Sequence, residues 1–398
     1  MVSNLDGQSL AGDRIVVAAG NRRYGFLLSW MSPLLLLVSA LLTLASGNGA
    51  WLWALMLSAY FGVPVFDFIF GRDNSNPSPM SEMALQQDQF YVYVLYGCVA
   101  LHWIAFLCTA YVIAAVEVPW FYLLGGMLSA GLSNGIAVVA GHELGHKVTD
   151  NNQSLAARIV LAMSAFGHYS IVHNNDHHRL VATPQDHSSA RMGENIYRFF
   201  LREVSGSFRR AWRLQVESLH RQGRSRWSLQ NRMLQTTAMT GIAYGALLLF
   251  FGVIMAPYLL IASVFAWWQL SSASYVEHYG LLRTRQTDGS YERWQVRHAW
   301  NSNYRFSNLM LLQVQRHSDH HQHPSRPYQI LRAYDDMPMM PQGYPSMFLL
   351  ALFPPLWFAL IDPRVLRWAG NDLEKINIDP GHRDRLYARY ATAAGPSH

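Results

Sequence analysis

Six long apolar runs set the terms on which this chain can fold. A helix needs roughly 20 residues to cross a hydrocarbon layer of ~30 Å, and inside that layer every backbone polar group must be bonded within the protein. Tyr24–Ser46 supplies 23 residues without an Asp, Glu, Lys or Arg. Trp51–Phe66 is a second run, ending at Asp67, and its helix is expected to cover about 51–70. Tyr91–Ala115, Pro119–Ala140, Gln235–Met255 and Pro257–Tyr275 are equally free of charge. The sequence therefore predicts an all-α integral membrane protein with six transmembrane helices in one domain, 1–398. The spans are expected near 24–46, 51–70, 91–115, 119–141, 235–255 and 257–277.

The connectors fall into two kinds. Gly47–Ala50, Val116–Val118 and Ala256 are short and carry no Lys or Arg. The remaining polar stretches hold Arg14, Arg22, Arg23 and Arg72 and the arginine-rich run from Arg191 to Arg232. Basic residues collect on the cytoplasmic side of a membrane protein. Both termini and the segments 147–234 and 281–398 are thus expected in the cytoplasm, with three hairpins turning tightly on the other side. Residues 344–361 are apolar but broken by Pro354 and Pro355, and lipid cannot replace the hydrogen bonds that adjacent prolines remove. An interfacial or re-entrant segment is expected there.

The net charge of +6 could suit a nucleic-acid binder, but the basic residues alternate with apolar runs, so membrane topology or an acidic partner explains them better. Cys98 and Cys108 share one apolar run and form no CxxC pair, so the chain cannot build a thiolate iron–sulfur centre and needs electrons from elsewhere for any redox chemistry. Met1–Ala19 is polar and lacks the apolar core of a cleaved signal peptide.

Histidine is the unusual residue here, with 17 in the chain. Four clusters matter. In Gly141-His142-Glu143-Leu144-Gly145-His146 the two histidines are four apart, which a helix places on one face, one turn apart. His173-Asn174-Asn175-Asp176-His177-His178 offers another such pair and an adjacent third ring. His278 lies in Tyr275-Val276-Glu277-His278-Tyr279-Gly280 at the cytoplasmic end of the sixth span. His317, His320 and His321 are spaced at i, i+3 and i+4. Single HxxxH pairs occur by chance in many helices. Nine clustered histidines on one expected membrane face, assigned from arginine placement alone, do not.

A zinc ion accepts about four ligands, so nine imidazoles call for two ions. Imidazole suits Zn, Cu, Fe or Ni, so the donors do not choose the metal. Neutral ligands leave the charge of two cations uncompensated. Acidic neighbours should therefore accept the outer ring N–H groups and balance that charge. Glu143, Asp176, Glu277 and Asp319, each beside a candidate ligand in sequence, are the candidates. His168, His187, His298 and His323 are expected to be surface or hydrogen-bonding histidines, and the run Trp300, Asn301, Asn303 has no role legible from sequence.

These boxes resemble those of the bacterial membrane-bound alkane monooxygenases, within the wider histidine-box group of desaturases and hydroxylases. HELGHK, the HxxxHH box at 173–178, SYVEHYGLLR and LQVQRHSDHHQHPSRPYQILR carry the resemblance, with ATPQDHSSARMGE and HAWNSN beside them. It runs from the first span to about Asp379. Val172 stands where that family usually has Glu, Asn175-Asp176 replaces a pair ending in Gly, and Ser274 replaces a common Asn. The resemblance implies that His142, His146, His173, His177, His178, His278, His317, His320 and His321 ligate two iron ions, with no haem or flavin bound directly and no catalytic residue beyond the metal site. It implies terminal hydroxylation of medium or long n-alkanes by O2 in a bacterial inner membrane, with electrons from rubredoxin and its NADH-dependent reductase.

Rubredoxins are acidic, and Arg198, Arg202, Arg209, Arg210, Arg213, Arg221, Arg224 and Arg226 offer a basic surface for one. Ala59, small among Trp51, Trp53, Tyr60 and Phe61, is a candidate for admitting a longer alkyl tail into a substrate channel. Three other readings compete. A membrane zinc protease is suggested by HExxH at 142–146 but leaves seven histidines unexplained. A metal transporter would carry its ligands at mid-membrane. A related hydroxylase of alkyl-aromatics or fatty acyl chains uses the same boxes.

Overall fold

A computed structural model of the protein describes residues 23–391. Met1–Ala19, Arg14 and Arg22 lie outside the described residues. In chain order the longer helices are α1 (Tyr24–Ser46), α2 (Gly49–Phe70), α3 (Pro79–Gln87), α4 (Phe90–Ala115), α5 (Trp120–Gly145), α6 (Asn151–Ala162), α7 (Ile196–Arg221), α8 (Arg232–Phe251), α9 (Met255–His278), α10 (Arg305–Met310), α11 (His317–Gln322), α12 (Tyr344–Ala351), α13 (Pro354–Trp368) and α14 (Arg383–Ala391). Six of them, α1, α2, α4, α5, α8 and α9, are long and apolar enough to cross a bilayer, as expected. Among the described residues only isolated bridges stand in for strands. The chain is a multi-pass, mostly helical membrane protein.

The short turns behave as their residues dictate. Gly47 closes α1 in the left-handed region at φ 67°, with its N–H on the Thr43 carbonyl, a conformation that costs glycine nothing. In its apolar stretch α5 is 72% buried and α8 only 17%, so α5 is the hub and α8 faces outward. α5 meets α9 along small residues. A Cβ on Gly131 would come within 2.7 Å of the Ala262 carbonyl oxygen, and one on Gly135 within 2.6 Å of the Gln269 Cβ. Such close backbone approach is how helices associate where lipid supplies no hydrophobic drive. It brings the histidine-bearing C-terminal ends of both helices together.

The proline-broken segment forms two helices meeting at Leu352–Phe353. Pro354 and Pro355 occupy the first turn of α13, where a missing N–H costs no hydrogen bond. Tyr344, Met347 and Ala351 of α12 and Trp357, Ile361 and Val365 of α13 join Tyr275 and Tyr279 in one core cluster. The two helices thereby brace the end of α9 just where His278 emerges.

Candidate metal centre

The nine clustered histidines converge on two points. Nitrogens of His142, His146, His173, His178 and His320 all lie within 4.8 Å of one another, and so do those of His177, His278, His317 and His321. In the first group the Nε2 atoms of His142 and His320 are 2.9 Å apart and those of His146 and His142 3.2 Å. In the second, His317 Nε2 is 2.9 Å from that of His321 and 3.1 Å from that of His278. A neutral imidazole has one donor and one acceptor nitrogen. Hydrogen bonding therefore cannot satisfy four or five ring nitrogens facing one point, whereas a metal ion can. The donor set fits two ions that accept imidazole.

Local backbone geometry decides which ring joins which group. α5 runs to Gly145, one turn past the expected 141, so His142 and His146 share a helical face and one group. In α11, His317 and His321 are one turn apart and point together, while His320 turns to the other group. His173–His177 departs from the expected pairing because it is a π-turn, in which the His178 N–H bonds the His173 carbonyl five residues back. The wider turn aligns His173 with His178, whose Nε2 atoms are 3.0 Å apart, and sends His177 to the second group.

Outside the spans, six of the rings are pushed toward the neutral form. Burial, and then the neighbouring histidines, keep His146, His173, His317, His320 and His321 well below the usual histidine range. The same causes bring His178 down to about 2. Neutral rings keep the lone pair that a metal needs.

Carboxylates approach the outer nitrogens at graded distances. Asp186 Oδ2 is 2.9 Å from His177 Nδ1 and also accepts the Ser189 hydroxyl at 2.7 Å. Burial works to raise its pKa, but His177 and these hydrogen bonds hold the carboxyl below its usual range. Glu277 Oε1 lies 3.4 Å from His317 Nδ1, and Glu143 Oε1 3.8 Å from His142 Nδ1. The other two candidates face elsewhere. Asp176 accepts from Arg210 at 2.6 Å. Asp319 accepts from Arg326 at 2.6 Å, from the Arg332 N–H at 2.9 Å and from Tyr334. They tie loops to the site without facing a ring.

Sequence reasoning missed Asp186, although it stands in the ATPQDHSSARMGE tract. The signal was the Asp-x-Ser-Ser pattern, which builds a turn in which Asp186 Oδ1 accepts the Ser188 N–H at 3.1 Å. The HAWNSN tract also gains a role. Trp300 Nε1 donates to the Tyr279 carbonyl beside His278, and the Asn301 side chain bridges the Ser318 N–H and hydroxyl in α11. Trp294 lies on His321, centroid to centroid 4.7 Å. His298 bonds Glu292 and does not face the ring nitrogens. His168 is buried against Phe166 and Phe208, and His323 is exposed.

An apolar cavity opens onto both groups. Ile136, Val138, Val139, Leu270, Leu311 and Val314 line it, and His142, His173, His177 and His317 share its wall. Val172 and Ser274, two of the positions that depart from the family pattern, are on its wall as well. Ala59 is not. It sits in the adjoining core beside Leu55, and its neighbour Tyr60 is hydrogen bonded to Gln269 of the cavity wall. Of the eight arginines, Arg202 clamps Glu194 at 2.7 Å, Arg210 holds Asp176 and Arg198 reaches Asp379 at 3.2 Å. Arg209, Arg213, Arg221, Arg224 and Arg226 are exposed.

Comparison with known proteins agrees with this architecture. The fatty acid desaturase family model matches residues 117–351. Alkane 1-monooxygenase 1 of Alcanivorax borkumensis is 44% identical over 377 residues, 94% of this chain and 93% of the relative. Alkane 1-monooxygenase of Pseudomonas putida is 41% identical over 392 residues, 98% of this chain and 97% of the relative. A more distant relative is the xylene/toluene monooxygenase hydroxylase component XylM of Pseudomonas putida, 29% identical over 277 residues, 68% of this chain and 71% of the relative.

Proposed function

The chain belongs to the alkane 1-monooxygenase family of histidine-box membrane proteins, and on that premise we propose that it hydroxylates n-alkanes at the terminal carbon with two iron ions. The observation that carries the reading is the convergence of nine imidazoles on two points, four of the rings lining an apolar cavity. His142, His146, His173, His178 and His320 would hold one iron, and His177, His278, His317 and His321 the other. Bound there, an iron pair would supply the activation of O2. The overall reaction takes alkane, O2, two electrons and two protons to 1-alkanol and water.

The protein's own part is placement and exclusion. Ile136, Val139, Leu270 and Val314 offer an alkyl chain dispersion contacts but no polar anchor, so the chain end is selected by fit. Alkanes dissolve in the bilayer, and a passage between spans delivers them without crossing water. We place the protein in a bacterial inner membrane with the metal centre and both termini on the cytoplasmic side, and α12–α13 as an interfacial or re-entrant pair. With no thiolate centre in the chain, rubredoxin, re-reduced by its NADH-dependent reductase, is the proposed donor. Arg209, Arg213, Arg221, Arg224 and Arg226, exposed and in no ion pair among the described residues, are the cations proposed to attract it.

Similarity to the XylM component supports a second reading, oxidation of alkyl-substituted aromatics. The protease reading fares worse. Glu143 approaches His142 on its Nδ1 side, at 3.8 Å, whereas the rings converge through Nε2, which does not suit the general base of a zinc protease. The test is purified protein in lipid with rubredoxin, reductase, NADH and, in separate reactions, a series of alkanes and of alkylbenzenes. Formation of 1-alkanols supports the proposal; absence of any oxygenated alkane, or oxidation of alkyl-aromatics alone, refutes it.

A further inference from the structure

The proposed reaction consumes two protons per turnover at the end of a buried, largely apolar cavity, so a proton source must reach that cavity. One carboxyl on its wall is not used by the histidine groups. Glu203 of α7 is 5% exposed and shares the cavity with Ser188, Ser207, Ser274 and Glu277. Its Oε2 is buried with no hydrogen-bond partner. A bare, shielded carboxylate oxygen is costly, whereas a carboxylic acid in the same place is tolerated. Burial pushes the Glu203 carboxyl above its usual range, against the pull of the Ser271, Ser188 and Ser274 hydroxyls.

A polar route leads outward from it. Ser188 lines the cavity, and His187, the residue before it, lines a separate open pocket with Asp176, Gln185, Arg210 and Arg213. The His187 ring is half-buried and packs so closely on α7 that Gly206 has no room for a Cβ. Gly206 is one turn from Glu203 on the same helix. The aqueous pocket and the substrate cavity are therefore separated by this loop and one turn of α7.

We propose that Glu203 delivers protons to the substrate cavity, taking them from water at the open pocket by way of His187 and Ser188. The inference rests on the monooxygenase reading. In each turnover alkane, O2, two electrons from the external iron–sulfur donor and two protons become alkanol and water. Glu203 gives up its proton toward the oxygen being reduced and is reprotonated from the His187 side. The groups that face it are Glu277 on α9, Asp186 on the loop, Arg202 beside it on α7 and Tyr169 across the cavity, with the His187 ring one turn away against Gly206. Arg202 is occupied by Glu194 and Asp186 by His177, which leaves Glu203 free to carry the exchangeable proton.

Two measurements test this. Infrared spectra of the metal-free protein in lipid should show a protonated carboxyl band that shifts promptly in D2O, vanishes in Glu203→Gln and moves in Glu203→Asp. In the metal-loaded protein, Glu203→Gln should lower alkanol formation by about 100-fold, the lower range for a positioned proton donor. NADH consumption should then become uncoupled from product and the solvent deuterium effect should rise, while Glu203→Asp recovers most of the loss. The band alone decides if the Gln variant does not accumulate, because the Asp variant must still move it. No Glu203 band, a band that does not exchange, or a Gln variant with wild-type turnover and isotope effect overturns the proposal. Wild-type protein that makes no alkanol overturns the underlying reading instead, a result seen without any variant.

Discussion

Replacing Asp186 by Asn isolates what an outer carboxylate does for this centre. Asp186 accepts from His177 Nδ1 at 2.9 Å and is itself fixed by Ser189 and the Ser188 N–H. It therefore sets which nitrogen of His177 carries the hydrogen and which faces the metal. Its carboxyl is held below the usual range, so the substitution removes a charge present throughout the working pH range. Loss of such a partner typically costs 10–100-fold in metal affinity, or about 1.4–2.8 kcal/mol. Glu277 at 3.4 Å and Glu143 at 3.8 Å lie beyond a good hydrogen bond. Their Gln variants should retain metal better, in the order Glu143→Gln, then Glu277→Gln, then Asp186→Asn. The assay is metal content after dialysis against graded chelator, with thermal unfolding to confirm that each variant is folded. Asp186→Asn retaining metal as well as Glu143→Gln would refute the reasoning.

Four further outcomes follow. His173, His178 and His321 have folded pKa values below their unfolded value of about 6.5, so below that pH the unfolded chain binds more protons. The metal-free protein should lose stability as pH falls from about 6.5, and an unfolding midpoint that is flat between pH 7 and 5 would contradict this. Gly131→Ala should destabilise by about 1–3 kcal/mol, because its Cβ meets a backbone oxygen, while Gly241→Ala, with nothing within 4 Å, should not; thermal melts compare them. Glu substitution of Arg209, Arg213 and Arg221 together should raise KM for rubredoxin and flatten its salt dependence with kcat kept; unchanged kinetics would remove these arginines from the docking surface. Ala59→Trp should shift products toward shorter alkanols by pressing on the Tyr60–Gln269 contact, and an unaltered length profile in gas chromatography would end that idea.

The spans were legible because each is a physical necessity written as uninterrupted apolar length, and their ends moved by about one turn at most, as where α5 runs on to Gly145 and α8 stops at Phe251. The histidines were legible as boxes because helical spacing aligns residues four apart. Their division into five and four was not. It depends on the π-turn at His173–His177, and hydrogen bonding five residues back leaves no periodicity that would show in six letters of sequence. Asp186 escaped notice because a carboxylate nine residues from its histidine partner becomes a neighbour only after the chain reverses. Glu203 carries no signal in the sequence, since burial of a single turn of α7 against α9 depends on tertiary packing. Asp176 and Asp319 misled for the converse reason: adjacency in sequence put them near ligands, but nearby arginines claimed them.

The claim on which everything else depends is that the two clusters of rings hold two iron ions. Metal analysis of the purified, active protein, with the same analysis on His320→Ala from one group and His278→Ala from the other, tests it directly. Close to two irons per chain in the wild type, and a loss of iron in each variant, is the result expected. One zinc per chain, or full activity after the iron has been removed, would contradict it.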